Sequence, residues 1–384
     1  MGSAAILAGS VTASESLGNS ISLRRSLLTQ QDLGVLMRLS LFSPRLSGIG
    51  SMMAALLLLA CGLGQAAEQA PSACSHNAID DERQVATSDA SLYLLVRGAR
   101  CDAPLILWLH GGPGGAETPL FRLYDRALED WFLVAYWDQR GAGRSYDRSA
   151  DTAKLTVERH ISDLKSVIDH LRAQYGKRKV ALVGHSWGSA LGLLYAQRHP
   201  GDVSVVVGVN QFVSGLGAQQ GRYEFVRTRA EALQDDKTLQ RLKEIGRPPL
   251  SSANELRLQA LVDRYGGLFH QRPSFAWATI VGTLRGYAVP WHIPAYIRAN
   301  EISLAAMEKE ISALDLAKTV RSVKVPVVFM LGRYDRQLEA RLAANYFDTL
   351  SALEKQLIWF EESAHNIPFE EPERFMAVLR TVLE

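Results

Sequence analysis

The sequence predicts an α/β fold: a mostly parallel twisted sheet flanked by helices, with one helical insertion. Short apolar runs at 104–109, 131–137, 179–183, 203–209, 325–331 and 355–360 alternate with stretches of helical periodicity, the signature of βα units whose strands are buried on both faces. Between about Gln211 and Thr319 the alternation stops and the chain turns helical and charged. Several of the runs end in loops carrying Gly, His, Ser or Asp. In such sheets the functional groups gather beyond the strands' C-terminal ends.

The chain has 384 residues, 47% hydrophobic and 21% charged, enough for one large core and an accessory region. Its net charge of +2 comes from scattered Lys and Arg balanced by Asp and Glu. That gives no electrostatic footprint for a nucleic-acid partner.

Residues 1–36 are rich in Ser, Ala and Gly and lack periodicity; they read as a disordered leader, or as sequence upstream of a start at Met37. Residues 37–67 read as an export signal. Arg38 and Arg45 precede the apolar block Met52–Ala60, and a small-residue exit follows through Ala66 and Ala67, the order of a secretory signal. The block is too short to span a membrane comfortably. Cleavage near Ala66 or Ala67 frees a periplasmic or secreted protein. The alternative is that Leu58-Leu59-Ala60-Cys61, which is similar to a lipobox, places a lipid on Cys61 and tethers the protein to a membrane. Without Cys61, Cys74 and Cys101 remain as an even pair, expected to form a disulfide in an oxidising compartment.

Taken in order, residues 68–210 and 320–384 form the sheet domain and 211–319 the cap. Ser91–Gly98 and the run from Pro104 read as a hairpin through residues 99–103. A helix is expected from Pro119 to Leu128, and an amphipathic one over 157–175 with Ile161, Leu164, Val167, Ile168 and Leu171 on one stripe. His160 and His170 on that helix are too far apart to share a metal. The loop 138–145 carries Gly141 and Gly143 but lacks the Lys-Ser/Thr end of a phosphate-binding loop, so Asp138, Arg140 and Arg144 read as loop-bracing ion pairs. The cap contributes Tyr223, Phe225, Phe275, Trp277, Tyr287 and Trp291 to its own core or to an apolar pocket. Glu224 is its candidate partner for a substrate ammonium.

The chemistry centres on Gly184-His185-Ser186-Trp187-Gly188. The apolar strand 179–183 precedes it and a helical run through Ala196 follows, so the five residues read as a sharp strand-to-helix turn that exposes Ser186. Such a turn strains its central residue and demands small neighbours two before and two after, met by Gly184 and Gly188. A serine hydroxyl needs a base, an orienting carboxylate and oxyanion donors. Asp335 lies beyond the strand 325–331 and His365 beyond the strand 355–360, in the chain order Ser, Asp, His of such sites. The backbone N–H groups of Gly112, in the turn after the strand 104–109, and of Trp187 are the oxyanion donors. No metal or organic cofactor is required.

His110-Gly111-Gly112-Pro113-Gly114, then Trp137-Asp138-Gln139-Arg140-Gly141-Ala142-Gly143-Arg144-Ser145, then the Ser186 pentapeptide resemble α/β-hydrolases of the proline iminopeptidase type, over roughly residues 85–384. The resemblance implies an α/β-hydrolase fold with a helical cap, and release of N-terminal residues from peptides through Ser186, His365 and Asp335. The chain departs from it at His185, where these enzymes commonly carry glycine, and lacks their Trp-Glu-Gly cap segment. The expected function is therefore a serine hydrolase acting on a peptide or aminoacyl amide with a free N-terminus. An esterase of small esters uses the same triad, and a non-catalytic exported binding protein on this fold is the reading from another class.

Overall fold

The computed structural model describes residues 78–270, 280, 281, 284 and 293–384. The expected leader and signal, Cys61, Cys74, Phe275, Trp277, Tyr287 and Trp291 lie outside the described residues. Among those described, no helix is long and apolar enough to cross a membrane.

Eight strands form one sheet: β1 (Ile79–Ala86), β2 (Ser91–Gly98), β3 (Leu105–Leu109), β4 (Leu133–Trp137), β5 (Val180–His185), β6 (Val203–Val209), β7 (Val327–Gly332) and β8 (Lys355–Phe360). Their spatial order is β1-β2-β4-β3-β5-β6-β7-β8. β1 and β2 pair antiparallel, as do β2 and β4, and every other pairing is parallel. Every residue of β3, β4, β5 and β7 is buried, as unbroken apolar runs covered by helices on both faces must be. The flanking helices are α1 (Thr118–Asp125), α2 (Val157–Tyr175) and α3 (Trp187–Arg198), with α8 (Ala340–Thr349) and α9 (Pro372–Leu383) after the insertion. Helix α2 starts where Thr156 caps the Arg159 N–H and stops at Gly176, whose φ of 62° a residue without Cβ adopts freely. Its apolar stripe buries Ile161, Leu164, Val167, Ile168 and Leu171 against the sheet.

The expected hairpin between residues 91–98 and the run from Pro104 is not formed. β2 pairs with β1 on one side and with β4 on the other, and β4 separates it from β3. The crossover through α1 lays β4 parallel beside β3 and leaves β4's far edge for β2. The real hairpin partner is β1, joined through a turn in which the Thr87 N–H donates to Ala90 O at 2.8 Å. Cys101, in the connection after β2, is buried and disulfide-bonded.

After β6 the chain leaves the sheet through α4 (Gly215–Ala232), α5 (Asp236–Ile245), α6 (Ser252–Arg264) and α7 (Ile293–Ala313), and rejoins it at β7. Helices α4 to α6 have their own core of Tyr223, Val226, Leu242, Ile245, Leu258, Leu261 and Val262, with Phe225 packed against it. Tyr223 and Phe225 therefore belong to the packing of the insertion.

The loop after β4 is braced much as expected. Arg140 donates Nε and Nη2 to the two carboxylate oxygens of Asp163 on α2, at 2.7 and 2.8 Å, and reaches Asp89 at 3.0 Å. Arg144 pairs with Glu82 and lies over the Tyr93 ring. Asp138 differs: it forms no ion pair among the described residues, and accepts the Arg144 N–H and the Thr118 hydroxyl instead. Asp163 is buried, so Arg140→Met strands its charge. Denaturant unfolding should show a loss of about 3–5 kcal/mol, most of it recovered in the Arg140→Met/Asp163→Leu double variant.

Candidate active site

Ser186 sits between β5 and α3 with φ 53° and ψ −121°, a conformation strained for any residue with a Cβ. Two close approaches impose it. A Cβ on Gly188 would lie 2.0 Å from Leu109 O at the end of β3, and one on Gly184 would lie 2.4 Å from Gly188 O. Only glycine fits either place. The turn leaves Ser186 half-exposed between buried neighbours. Its N–H donates to Val209 O at 3.0 Å, and its carbonyl accepts the Ser189 N–H and hydroxyl.

The turn after β3 comes against this elbow. A Cβ on Gly111 would stand 3.3 Å from the Ser186 Cβ. Gly112 has φ +120°, and a Cβ there would fall 2.6 Å from the nitrogens of Gly114 and Gly115, so the tight reversal needs glycine. Trp187 is the first residue of α3. Its N–H has no carbonyl one turn earlier in the helix, and it lies at the positive end of the helix dipole. Gln139 ties the two turns together. Its side-chain amide donates to His110 O at 2.8 Å, its N–H donates to His110 Nε2 at 3.0 Å, and its Oε1 accepts the Trp187 indole N–H at 3.0 Å.

His365 and Asp335 meet: the His365 Nδ1 is 3.0 Å from Asp335 Oδ2, and both side chains are buried. Asp335 Oδ1 accepts the N–H groups of Gln337 and Leu338 at 2.8 and 3.0 Å. Burial opposes ionisation of Asp335, but the His365 imidazole and these two donors outweigh it and hold the carboxyl below its ordinary value. Burial likewise dominates at His365, and despite Asp335 it keeps the imidazole below the ordinary histidine value. The His365 main chain is fixed at both ends. Its N–H donates to Leu268 O at 3.1 Å, and its carbonyl accepts from Asn210 Nδ2 at 2.6 Å and His185 Nε2 at 2.8 Å. Since His185 adjoins Ser186, the last bond links the elbow directly to the histidine loop.

The structure thus gathers Ser186, Trp187, Gly112, His365 and Asp335 at one edge of the sheet. Glu224 is elsewhere. Its side chain is 52% exposed on α4 and pairs with Arg227 one turn away at 2.8 Å, the arrangement of a solvent-facing helix glutamate. Among the described residues no group of three or more His, Cys, Asp or Glu could hold a metal ion.

Sequence reasoning missed several supporting residues. Asn210 bridges Gly332 N–H, Ala364 O and His365 O; a polar residue at the end of the apolar run 203–209 was the available signal. Buried Glu370 accepts the N–H groups of Ala364 and Asn366, which flank His365, and that of His270 from the insertion. Glu117, just ahead of α1, is buried against His185; standing before Thr118-Pro119 it reads as a surface residue at a helix start.

Comparison with known proteins agrees with this architecture. A family model described as the alpha/beta hydrolase fold matches residues 104–372. The probable aminopeptidase YbaC of Bacillus subtilis is 31% identical over 304 residues, covering 77% of this chain and 94% of that protein. A proline iminopeptidase of Saccharolobus solfataricus is 25% identical over 291 residues, covering 73% and 84%. Among solved structures, a proline iminopeptidase of Mycobacterium smegmatis superposes with TM-score 0.58 at 19% identity, over 79% of this chain and 97% of that one. An esterase of Exiguobacterium antarcticum does so with TM-score 0.54 at 18% identity, over 79% and 99%. The chain belongs to the α/β hydrolase fold family and is similar to its proline iminopeptidase members.

Proposed function

We propose that the protein is a serine hydrolase that removes residues from the free N-terminus of peptides or aminoacyl amides through an acyl-enzyme. The observation that carries the proposal is the convergence of a strained, accessible Ser186 with the buried His365–Asp335 pair, joined by the hydrogen bond from His185 to the His365 carbonyl. His365 takes the Ser186 proton as the hydroxyl attacks the carbonyl carbon, and Asp335 fixes the tautomer and stabilises the imidazolium. The N–H groups of Gly112 and Trp187 hold the oxyanion. The imidazolium then protonates the leaving amine, and water repeats the cycle to release the acid. The similarity to enzymes named aminopeptidase and proline iminopeptidase supports the amide substrate. Export is part of the proposal: the signal-like segment precedes a domain holding a disulfide at Cys101.

A second reading, an esterase of small esters, is favoured by the surface pairing of Glu224, which leaves the expected ammonium partner turned to solvent. Matched prolyl and alanyl anilides, with the amine free or acetylated, separate the two. Acetylation should lower kcat/KM by about 100-fold, or about 3 kcal/mol. Inert anilides alongside rapid turnover of a p-nitrophenyl ester would replace the peptidase reading with the esterase one.

Replacing Ser186 with Ala should cut kcat by at least about 10³-fold at unchanged thermal stability; near-parental turnover would end the assignment. The pH profile is a separate check. Only neutral His365 accepts the serine proton, and its pKa lies below the ordinary 6.5. The plot of kcat/KM should therefore stay level on lowering the pH through 7 and fall only below that value. An acid limb centred above 7 would contradict the burial seen here.

A further inference from the structure

His185, between Gly184 and Ser186, is 2% exposed and has both ring nitrogens engaged. Nε2 lies 2.8 Å from the His365 carbonyl oxygen, and Nδ1 lies 2.7 Å from Glu117 Oε1. A carbonyl oxygen only accepts, so Nε2 carries a hydrogen. One further proton then sits between Nδ1 and the carboxylate, and its position decides whether the pair is charged. The other Glu117 oxygen accepts the Trp108 indole N–H at 3.2 Å, which favours the carboxylate and so the imidazolium. Burial opposes charge on both partners, but their attraction prevails: Glu117 is held below its ordinary pKa and His185 above.

The His185 ring faces the His365 ring at 4.9 Å between centroids, with Trp108 stacked at 6.4 Å. The titratable groups around the two rings are Glu117 ahead of α1, His110 after β3, Asp335 after β7, Glu370 on the N–H groups either side of His365, and the histidines themselves. Glu117 bonds the ring nitrogen opposite the one that reaches the histidine loop, and at His365 its carboxylate only partly offsets the opposing influence of His185.

We infer that Glu117 and His185 form a second acid–imidazole pair behind the site, which positions His365 through its carbonyl and turns a fixed positive charge toward its ring. Both are positioning residues acting on the base. A neighbouring imidazolium disfavours protonation of His365, so the resting base stays neutral and ready to accept the Ser186 proton. Asn210 donates to the same carbonyl, so the main-chain anchor is duplicated while the charge has no second source among these surrounding groups.

The inference rests on His365 being the base for Ser186, and the experiment keeps the two apart. In Glu117→Gln the amide fills the same space, donates to Nδ1 of a neutral His185, and leaves the His185 Nε2–H on the His365 carbonyl. Geometry is retained and charge removed. The acid limb of kcat/KM should move upward by at least about 0.5 pH unit relative to the parent. His185→Gln supplies the second variant: its amide nitrogen still reaches the carbonyl and the imidazolium is gone, so the limb should rise again. A folded variant of either kind with a lowered kcat but the parental acid limb reduces the pair to packing and overturns the inference, while an inactive Ser186→Ala leaves the catalytic reading standing. A Ser186→Ala enzyme that turns over like the parent removes that reading and this inference with it.

Discussion

A Cβ at Gly188 would stand 2.0 Å from the carbonyl of Leu109, and this contact between α3 and the end of β3 sets the geometry around it. It brings the N-terminus of α3 beside the turn after β3, so the Trp187 N–H and the Gly111–Gly112 turn share the neighbourhood of Ser186. It also forces Ser186 into a strained conformation of positive φ that lifts its side chain from an otherwise buried loop. Strain of this kind costs on the order of 1–3 kcal/mol and persists only where the surroundings over-determine it. Here β5 lies inside a sheet whose central strands are buried on both faces, and the Ser186 N–H is held by β6 through Val209.

The helical insertion is tied to each of the loops that meet at Ser186. Asn300 donates to Pro113 O in the turn after β3, and Ser303 to Gly141 O in the loop after β4. Leu268 O accepts from both the His365 N–H and the Asn366 side chain, and Gly267 O accepts the Arg336 N–H beside Asp335. Arg222 of α4 donates to Gln337 O, next to the N–H groups that hold Asp335. The insertion is therefore hydrogen-bonded to the main chain that carries His365 and Asp335, the proposed base and its carboxylate. Changes in the insertion should act on turnover as well as on binding, because orienting the reacting groups is itself part of the rate.

The parts legible in the sequence are those whose signal is local. Gly184, Ser186 and Gly188 announce a turn that only small residues permit. The apolar runs at 104–109, 131–137, 179–183 and 325–331 read as buried strands because burial on both faces leaves almost no polar position. Helix 157–175 is legible in its apolar stripe. What escaped depends on distant partners. β1 reads Ile79-Asp80-Asp81-Glu82-Arg83-Gln84-Val85-Ala86, too polar to announce a strand, and its order comes from pairing with β2 along the sheet edge. That edge also explains why the expected hairpin is absent: β2 and β3 are neighbours in sequence, but β4 stands between them in the sheet. Glu117 and Asn210 look like ordinary helix-start and loop residues until the fold buries them against His185 and the His365 loop. Glu224, legible as an acid in the insertion, faces solvent because its side of α4 does.

The central claim is that Ser186 is the nucleophile of an acyl-enzyme. It is tested most directly by titrating the intact enzyme with a fluorophosphonate and mapping the modified peptide by mass spectrometry. The account predicts one equivalent of label per chain, carried on Ser186, with turnover falling in proportion to its incorporation. Label on another residue, or turnover that persists once Ser186 is fully modified, would contradict it.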